Sequence, residues 1–159
     1  MPCLWAMDHD FHGAKAALFI GDRLLCLLRD DRPDIPYPGL WDFPGGGREP
    51  GETPEETLAR EIEEEVGLDW AEAQELWRMS RAPDHRPDLP SWFFVGRLPA
   101  AKVGEIRMGD EGQGWALMTL ERFLALENAV PTLAPRLGAW IAAGGRVEGG
   151  RPHEPAPGT

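Results

Sequence analysis

Residues 46–68 read GGREPGETPEETLAREIEEEVGL, a stretch in which the start, the apolar face and the stop of one helix are all written out. Thr53 followed by Pro54, Glu55 and Glu56 supplies an N-cap hydroxyl, a proline where the missing N–H does no harm, and a glutamate at the third helical position. Together these make a capping box. Leu58, Ile62 and Val66 recur every four residues as an apolar stripe, and Gly67 suits a left-handed C-cap. A helix so delimited must lay that stripe on a core, and the rest of the chain has to provide one.

The same phase gathers Glu61, Glu64 and Glu65, at i, i+3 and i+4, within an arc of roughly 100° beside the stripe. Like charges at this spacing repel by a few tenths of a kcal/mol per pair in an isolated helix. A hard divalent cation, Mg²⁺ with Mn²⁺ as a possible substitute, relieves that repulsion and accepts carboxylate oxygens readily. A solvated acidic face is the commoner origin of a glutamate run, so the run alone leaves both readings open.

Around this helix the chain alternates strands and helices. Residues 14–20 and 24–29 are apolar runs separated by Gly21 and Asp22, a β-hairpin. Residues 30–39 contain Pro33, Pro36 and Pro38 and form a loop. Residues 41–43 are expected as a short strand and residues 44–47, a proline and three glycines, as a bend. Strands follow at 75–81, 91–98 and 115–118, then helices at 119–126 and 133–143. Strands mixed with helices put a sheet between helical layers, an α/β fold. Residues 1–10 are expected to be flexible, 11–143 to form the domain, and 144–159, rich in Gly and Pro, to be a disordered tail.

Composition narrows the function. With 159 residues, 42% hydrophobic and 27% charged, one core can be buried. No apolar run is long enough to span a membrane and the N-terminus lacks signal-peptide order, so a cytoplasmic protein is expected. Cys3 and Cys26 form neither a disulfide scaffold nor a metal knuckle, and Cys26 reads as core. A net charge of −11 speaks against extended nucleic acid as a partner. A small phosphorylated substrate remains compatible, because bound cations meet its charge locally.

The segment resembles the Nudix box of the Nudix hydrolases: Gly46, Glu52, Arg60, Glu61, Ile62, Glu64, Glu65, Gly67 and Leu68 fill every specified position of that pattern. The resemblance implies an α/β/α sandwich with a mixed β-sheet. It further implies hydrolysis of a phosphoanhydride with metal held by Glu61, Glu64 and Glu65, and the carbonyl of Gly45 as a further ligand. One glutamate of the cluster, or another from outside the box, is implied to take the proton from water. Arg60 is expected to point away from the carboxylate patch and to orient Glu52 through a charge-assisted pair.

Outside the box, many Nudix enzymes supply a further glutamate from a loop before a late strand. Glu111, in GDEGQGW, lies at that place as ligand or base, with Glu105 and Asp110 as rivals. Arg29, Trp41, Trp92 and Asn128 are the candidate substrate contacts: a tryptophan can stack on a base, and Asn128 resembles a purine-reading position of nucleotide-cleaning relatives. Pro83 resembles a proline of ADP-ribose hydrolases. The expected activity is Mg²⁺-dependent hydrolysis of a nucleoside diphosphate linked to another moiety, with oxidised deoxynucleoside triphosphates, ADP-ribose and nucleotide sugars among the substrates to weigh. The partner is a small nucleotide or other diphosphate, and the protein a monomer or homodimer. A ligand-sensing module is the alternative of another class, and prenyl diphosphate isomerisation a third; the intact carboxylates weaken the first and the core-like position of Cys26 weakens the second.

Overall fold

In the computed structural model, which describes residues 10–83 and 85–147, strand β1 (Gly13–Ile20) is covered on both faces and organises everything else. Its even residues Ala14, Ala16, Leu18 and Ile20 join one hydrophobic cluster and its odd residues Ala17 and Phe19 the other. This is the period of two expected of a strand with helices on either side. Along one edge β1 pairs in parallel with β6 (Ser91–Leu98), which pairs antiparallel with the edge strand β5 (Gln74–Arg81). Along its other edge β1 meets β2 (Arg23–Leu28) only at the hairpin end, through Phe19 with Leu24 and Ile20 with Arg23.

Beyond those pairs the hairpin opens into a fork. Residues 41–47 enter it: β3 (Trp41–Asp42) pairs with β2, the Pro44 carbonyl accepts from Ala16 N at 3.0 Å, and β4 (Gly45–Gly47) pairs with β1. The bend expected at 44–47 is therefore corrected to a strand over its last three residues. Local composition disfavours that strand, and it forms because the fork leaves the β1 edge without a partner. β7 (Gly114–Met118) pairs along the far edge of β2 and completes a mixed sheet.

Helix α1 (Pro54–Val66) packs Leu58, Ile62 and Val66 on one face of the sheet, beside Leu25, Leu27 and Phe94. Helices α2 (Leu120–Leu124) and α3 (Leu133–Ala142) cover the other with Phe123, Leu133, Leu137 and Trp140. The result is the α/β/α sandwich with a mixed sheet. Short 3-10 turns at Trp70–Glu72 and Ala100–Glu105, which no periodicity announced, connect the layers. Cys26 is fully buried in the α3-side cluster, and burial pushes its thiol up to about 12, which makes it a core residue.

Cys3, nearly all of the expected flexible segment 1–10 and the expected tail from 148 onward lie outside the described residues. Residues 144–147 still pack on α3: Gly145 N donates to the Trp140 carbonyl, and Val147 leans on the core. Among the described residues no helix is long and apolar enough to cross a membrane.

Candidate active site

The N-terminal half of α1 forms as its sequence dictates. Thr53 accepts from Glu56 N at 3.1 Å while the Glu56 carboxylate accepts from Thr53 N at 2.9 Å, a closed capping box. Just before it, Glu52 accepts a hydrogen bond from the buried Thr57 hydroxyl at 2.9 Å and a bidentate pair from Arg60, Nε at 2.7 Å and Nη2 at 3.1 Å. The Arg60 hydrogen bonds hold the Glu52 carboxyl down at about 2.

Arg60 does more than pair with Glu52. Its Nη2 donates to the Gly47 carbonyl at 2.8 Å, and its Nη1 reaches Glu61 at 3.3 Å and Glu64 at 3.4 Å. The expectation that Arg60 points away from the carboxylate patch is thus corrected. Its long stem lets one guanidinium span the loop and the patch, which a count of helical steps from the Cα does not capture.

Toward the C-terminal half the charges crowd. Burial raises the Glu61 carboxyl, with Glu64 and Glu111 adding to the rise and Arg60 opposing it. Glu65 is pushed up to about 8, chiefly by burial; Glu61 and Asp42 raise it further, against the Gly45 N–H at 2.8 Å and Lys15. Glu64 faces solvent.

Residues 106–113 bring Glu111 to this half of the helix. Arg107 N and Gly109 N donate to the Val66 and Glu65 carbonyls, groups that a helix end leaves without intrahelical partners. Ile106 and Met108 pack on the α1-side core, and a Cβ at Gly109 would collide with the Glu64 carbonyl. The rival acids stand elsewhere: Glu105 pairs with Lys102, and Asp110 is exposed.

Glu65 and Glu111 line an open cleft together with Arg29, Arg32, Ile35 and Asp42. Of the candidate substrate contacts, Arg29 is in this lining. Trp41 packs on the α3-side core, Trp92 on the α1-side core against Phe94, and Asn128 is exposed, its carbonyl accepting from Trp41 N. None of these three lines the cleft.

Asp42 is the residue that sequence reasoning passed over. It is 3% exposed, and its oxygens accept from Lys15 Nζ at 2.6 Å, Arg29 Nη1 at 2.9 Å and Phe43 N at 2.7 Å. It thereby fixes two cations beside the glutamates. An acid one residue from a proline-glycine run is the signal that was available; its partner Lys15, far off in sequence, gave none.

Do these residues fit a divalent cation? The donors are carboxylates, Glu61 and Glu65 are raised by burial with neighbouring acids adding to the rise, and the Glu61 carboxylate lies so close to the Gly46 backbone that a Cβ there would strike it. That donor set suits Mg²⁺ or Mn²⁺. Among the described residues no three acidic, His or Cys side chains converge on one point, since Glu61 and Glu64 contact Arg60 and Glu65 accepts from Gly45.

Comparison with known proteins agrees with this fold. The NUDIX domain model matches residues 11–144. A curated relative, nucleoside triphosphatase NudI of Escherichia coli O1:K1 / APEC, is 30% identical over 120 residues, covering 70% of this chain and 83% of its own. Among solved structures, a MutT protein from Methanosarcina mazei Go1 superposes with a TM-score of 0.68 at 19% identity, over 87% of this chain and 99% of that one. A bifunctional NMN adenylyltransferase/ADP ribose pyrophosphatase from Francisella tularensis, complexed with AMP and an Mn ion, does so with a TM-score of 0.69 at 19% identity, over 89% of this chain and 45% of that one.

Proposed function

Since this chain belongs to the Nudix family of hydrolases, we propose that it is a cytoplasmic, Mg²⁺-dependent nucleotide pyrophosphohydrolase. Its substrate is a nucleoside diphosphate linked to another moiety, nucleoside triphosphates foremost. The observation that carries this reading is the charge crowding at the C-terminal half of α1, where Glu64 and Glu111 act on Glu61 and Glu61 acts on Glu65, with Arg60 at their edge. The 30% identical relative named as a nucleoside triphosphatase supports the choice of substrate.

Glu61, Glu64 and Glu65, with the Gly45 carbonyl, would hold the cation. When bound, the cation supplies positive charge to phosphate oxygens that otherwise repel a nucleophile, and it acidifies water. Arg60, anchored on Glu52 and the Gly47 carbonyl, orients Glu61 and Glu64. Glu111 makes no hydrogen bond within the described residues and stands on a loop over the cleft, which favours it as the proton acceptor; the exposed Glu64 is its rival. Arg29 and Lys15, held by Asp42, offer cationic hydrogen-bond donors to phosphate.

The test is product analysis with nucleoside triphosphates, oxidised purine triphosphates, ADP-ribose, nucleotide sugars and dinucleoside polyphosphates, with and without Mg²⁺. Pyrophosphate release from a triphosphate only with Mg²⁺ supports the reading. Cleavage of ADP-ribose or nucleotide sugars alone would move the substrate, and silence across the panel with Mg²⁺ bound would favour a sensor.

A further inference from the structure

On the sheet face opposite the glutamates, two arginines reach the rim of the α3-side core. Strand β5 places Met79 opposite Phe93 and Arg81 opposite Ser91. Residues two apart share a face, and Phe93 belongs to the α3-side core, so Arg81 emerges at the rim of that core. From α3 the Arg136 guanidinium reaches over the Phe93 ring, 5.9 Å from its centroid. Burial and the like charge of Arg81 both lower the hold of Arg136 on its proton.

Among the described residues neither Arg81 nor Arg136 makes an ion pair or a side-chain hydrogen bond, in a chain with 27 Asp and Glu against 16 Lys and Arg. Asp42 attracts Arg136, but its oxygens are already engaged by Lys15, Arg29 and Phe43 N. Two like charges that repel each other and hold no ion pair of their own, one half-buried over an aromatic ring, suit an oxyanion. A guanidinium fork offers paired donors of the spacing that phosphate and carboxylate accept.

We propose that Arg81 and Arg136 form a second anion site, for a phosphate or carboxylate group, on the α3 face of the sheet. The anion is either a charged group of the substrate remote from the cleaved bond or a free anion acting on the enzyme. Neither source depends on the assignment of the glutamates, so the site is tested apart from hydrolysis.

Titration calorimetry of the metal-free full chain with inorganic phosphate at low ionic strength is the first arm, since screening weakens an exposed site. The expected result is saturable binding, weakened about tenfold in Arg81→Gln and in Arg136→Gln, as for loss of one charge-assisted contact. Arg136→Lys, which keeps charge but not the fork, should fall between. Arg81→Gln sits on an exposed edge strand and keeps the test informative if Arg136 variants unfold. Absence of phosphate binding by the wild type, or binding by both Gln variants as tight as that of the wild type, overturns the proposal. In the second arm, phosphate is added during turnover of a cleaved nucleotide. Competition with substrate that disappears in Arg136→Gln assigns the site to the substrate, and a change in kcat without competition, likewise lost, assigns it to a free anion. A phosphate effect identical in wild type and Arg136→Gln counts against the site.

Discussion

The two halves of α1 both carry acids, yet they are physically opposite. In the first half the acids near its start have found partners: Glu52 with Arg60 and Thr57, Glu55 with Arg78 at 2.8 Å, Glu56 with Thr53 N. Glu52 is accordingly more acidic than a free carboxyl. In the second half Glu61 and Glu65 are less acidic than usual, because burial and neighbouring acids outweigh what Arg60, Lys15 and the Gly45 N–H return. The lesson is that acid count says little. A carboxylate satisfied within the fold builds the helix, and one left in excess is available to a cation.

Exchanging a charge in the second half should have the largest effect. Glu64→Gln is expected to lower kcat/KM by about 10²–10⁴ with the thermal midpoint nearly unchanged, as for loss of an acid–base or ligand carboxylate. A wild-type rate would break the comparison, since the second half would then be no more functional than the first.

Next comes the pH dependence of stability. The Glu65 carboxyl, at about 8 in the fold, holds its proton over a range where the unfolded chain, near 4.3, has released it. The folded state then binds more protons, so the Glu65 contribution to metal-free stability is full below about pH 4 and is lost as pH rises toward 8, on the order of 5 kcal/mol. Glu65→Gln should flatten that slope in urea titrations at pH 5 and pH 8. Glu52 runs the other way: its contribution is present above its unfolded value and lost as acid approaches pH 2.

Glu52→Gln should show how far the first half serves the second. Weakening the Arg60 anchor is expected to lower kcat about 10- to 100-fold, the range seen when the partner of a ligand is removed. KM should move less, and a KM-only effect would mean that Arg60 serves substrate rather than the carboxylates.

The smallest effect belongs to the cap. Thr53→Ala should lower stability by about 1 kcal/mol, read as a shift in urea midpoint, with kcat intact because the hydroxyl serves only Glu56 N. A fall in kcat of tenfold or more would tie the helix start to the site more closely than the contacts show.

What could be read without coordinates is local. The helix from Thr53 to Gly67, with its cap, stripe and carboxylate patch, depends on residues three and four apart, and those spacings are present in the string itself. Strands with two buried faces were legible from their apolar runs. The strand at Gly45–Gly47 was not, because glycine has no strand preference and the pairing comes from an edge that the open hairpin leaves bare. Nor was Asp42, whose meaning lies in Lys15 and Arg29. Arg60 misled because its reach depends on rotamers.

By itself, then, the sequence determined the helix, its charges and the hydrolase family, since each rests on short-range spacing along one chain direction. The tertiary structure alone decided which acids are satisfied and which are in excess. Burial and long-range pairing set that balance, through the fork that admits residues 41–47, the loop that docks Arg107 and Gly109 on the helix end, and the strand register that sets Arg81 near Arg136. Those are contacts between residues far apart in the chain, and no local pattern encodes the energy of a charge before its surroundings exist.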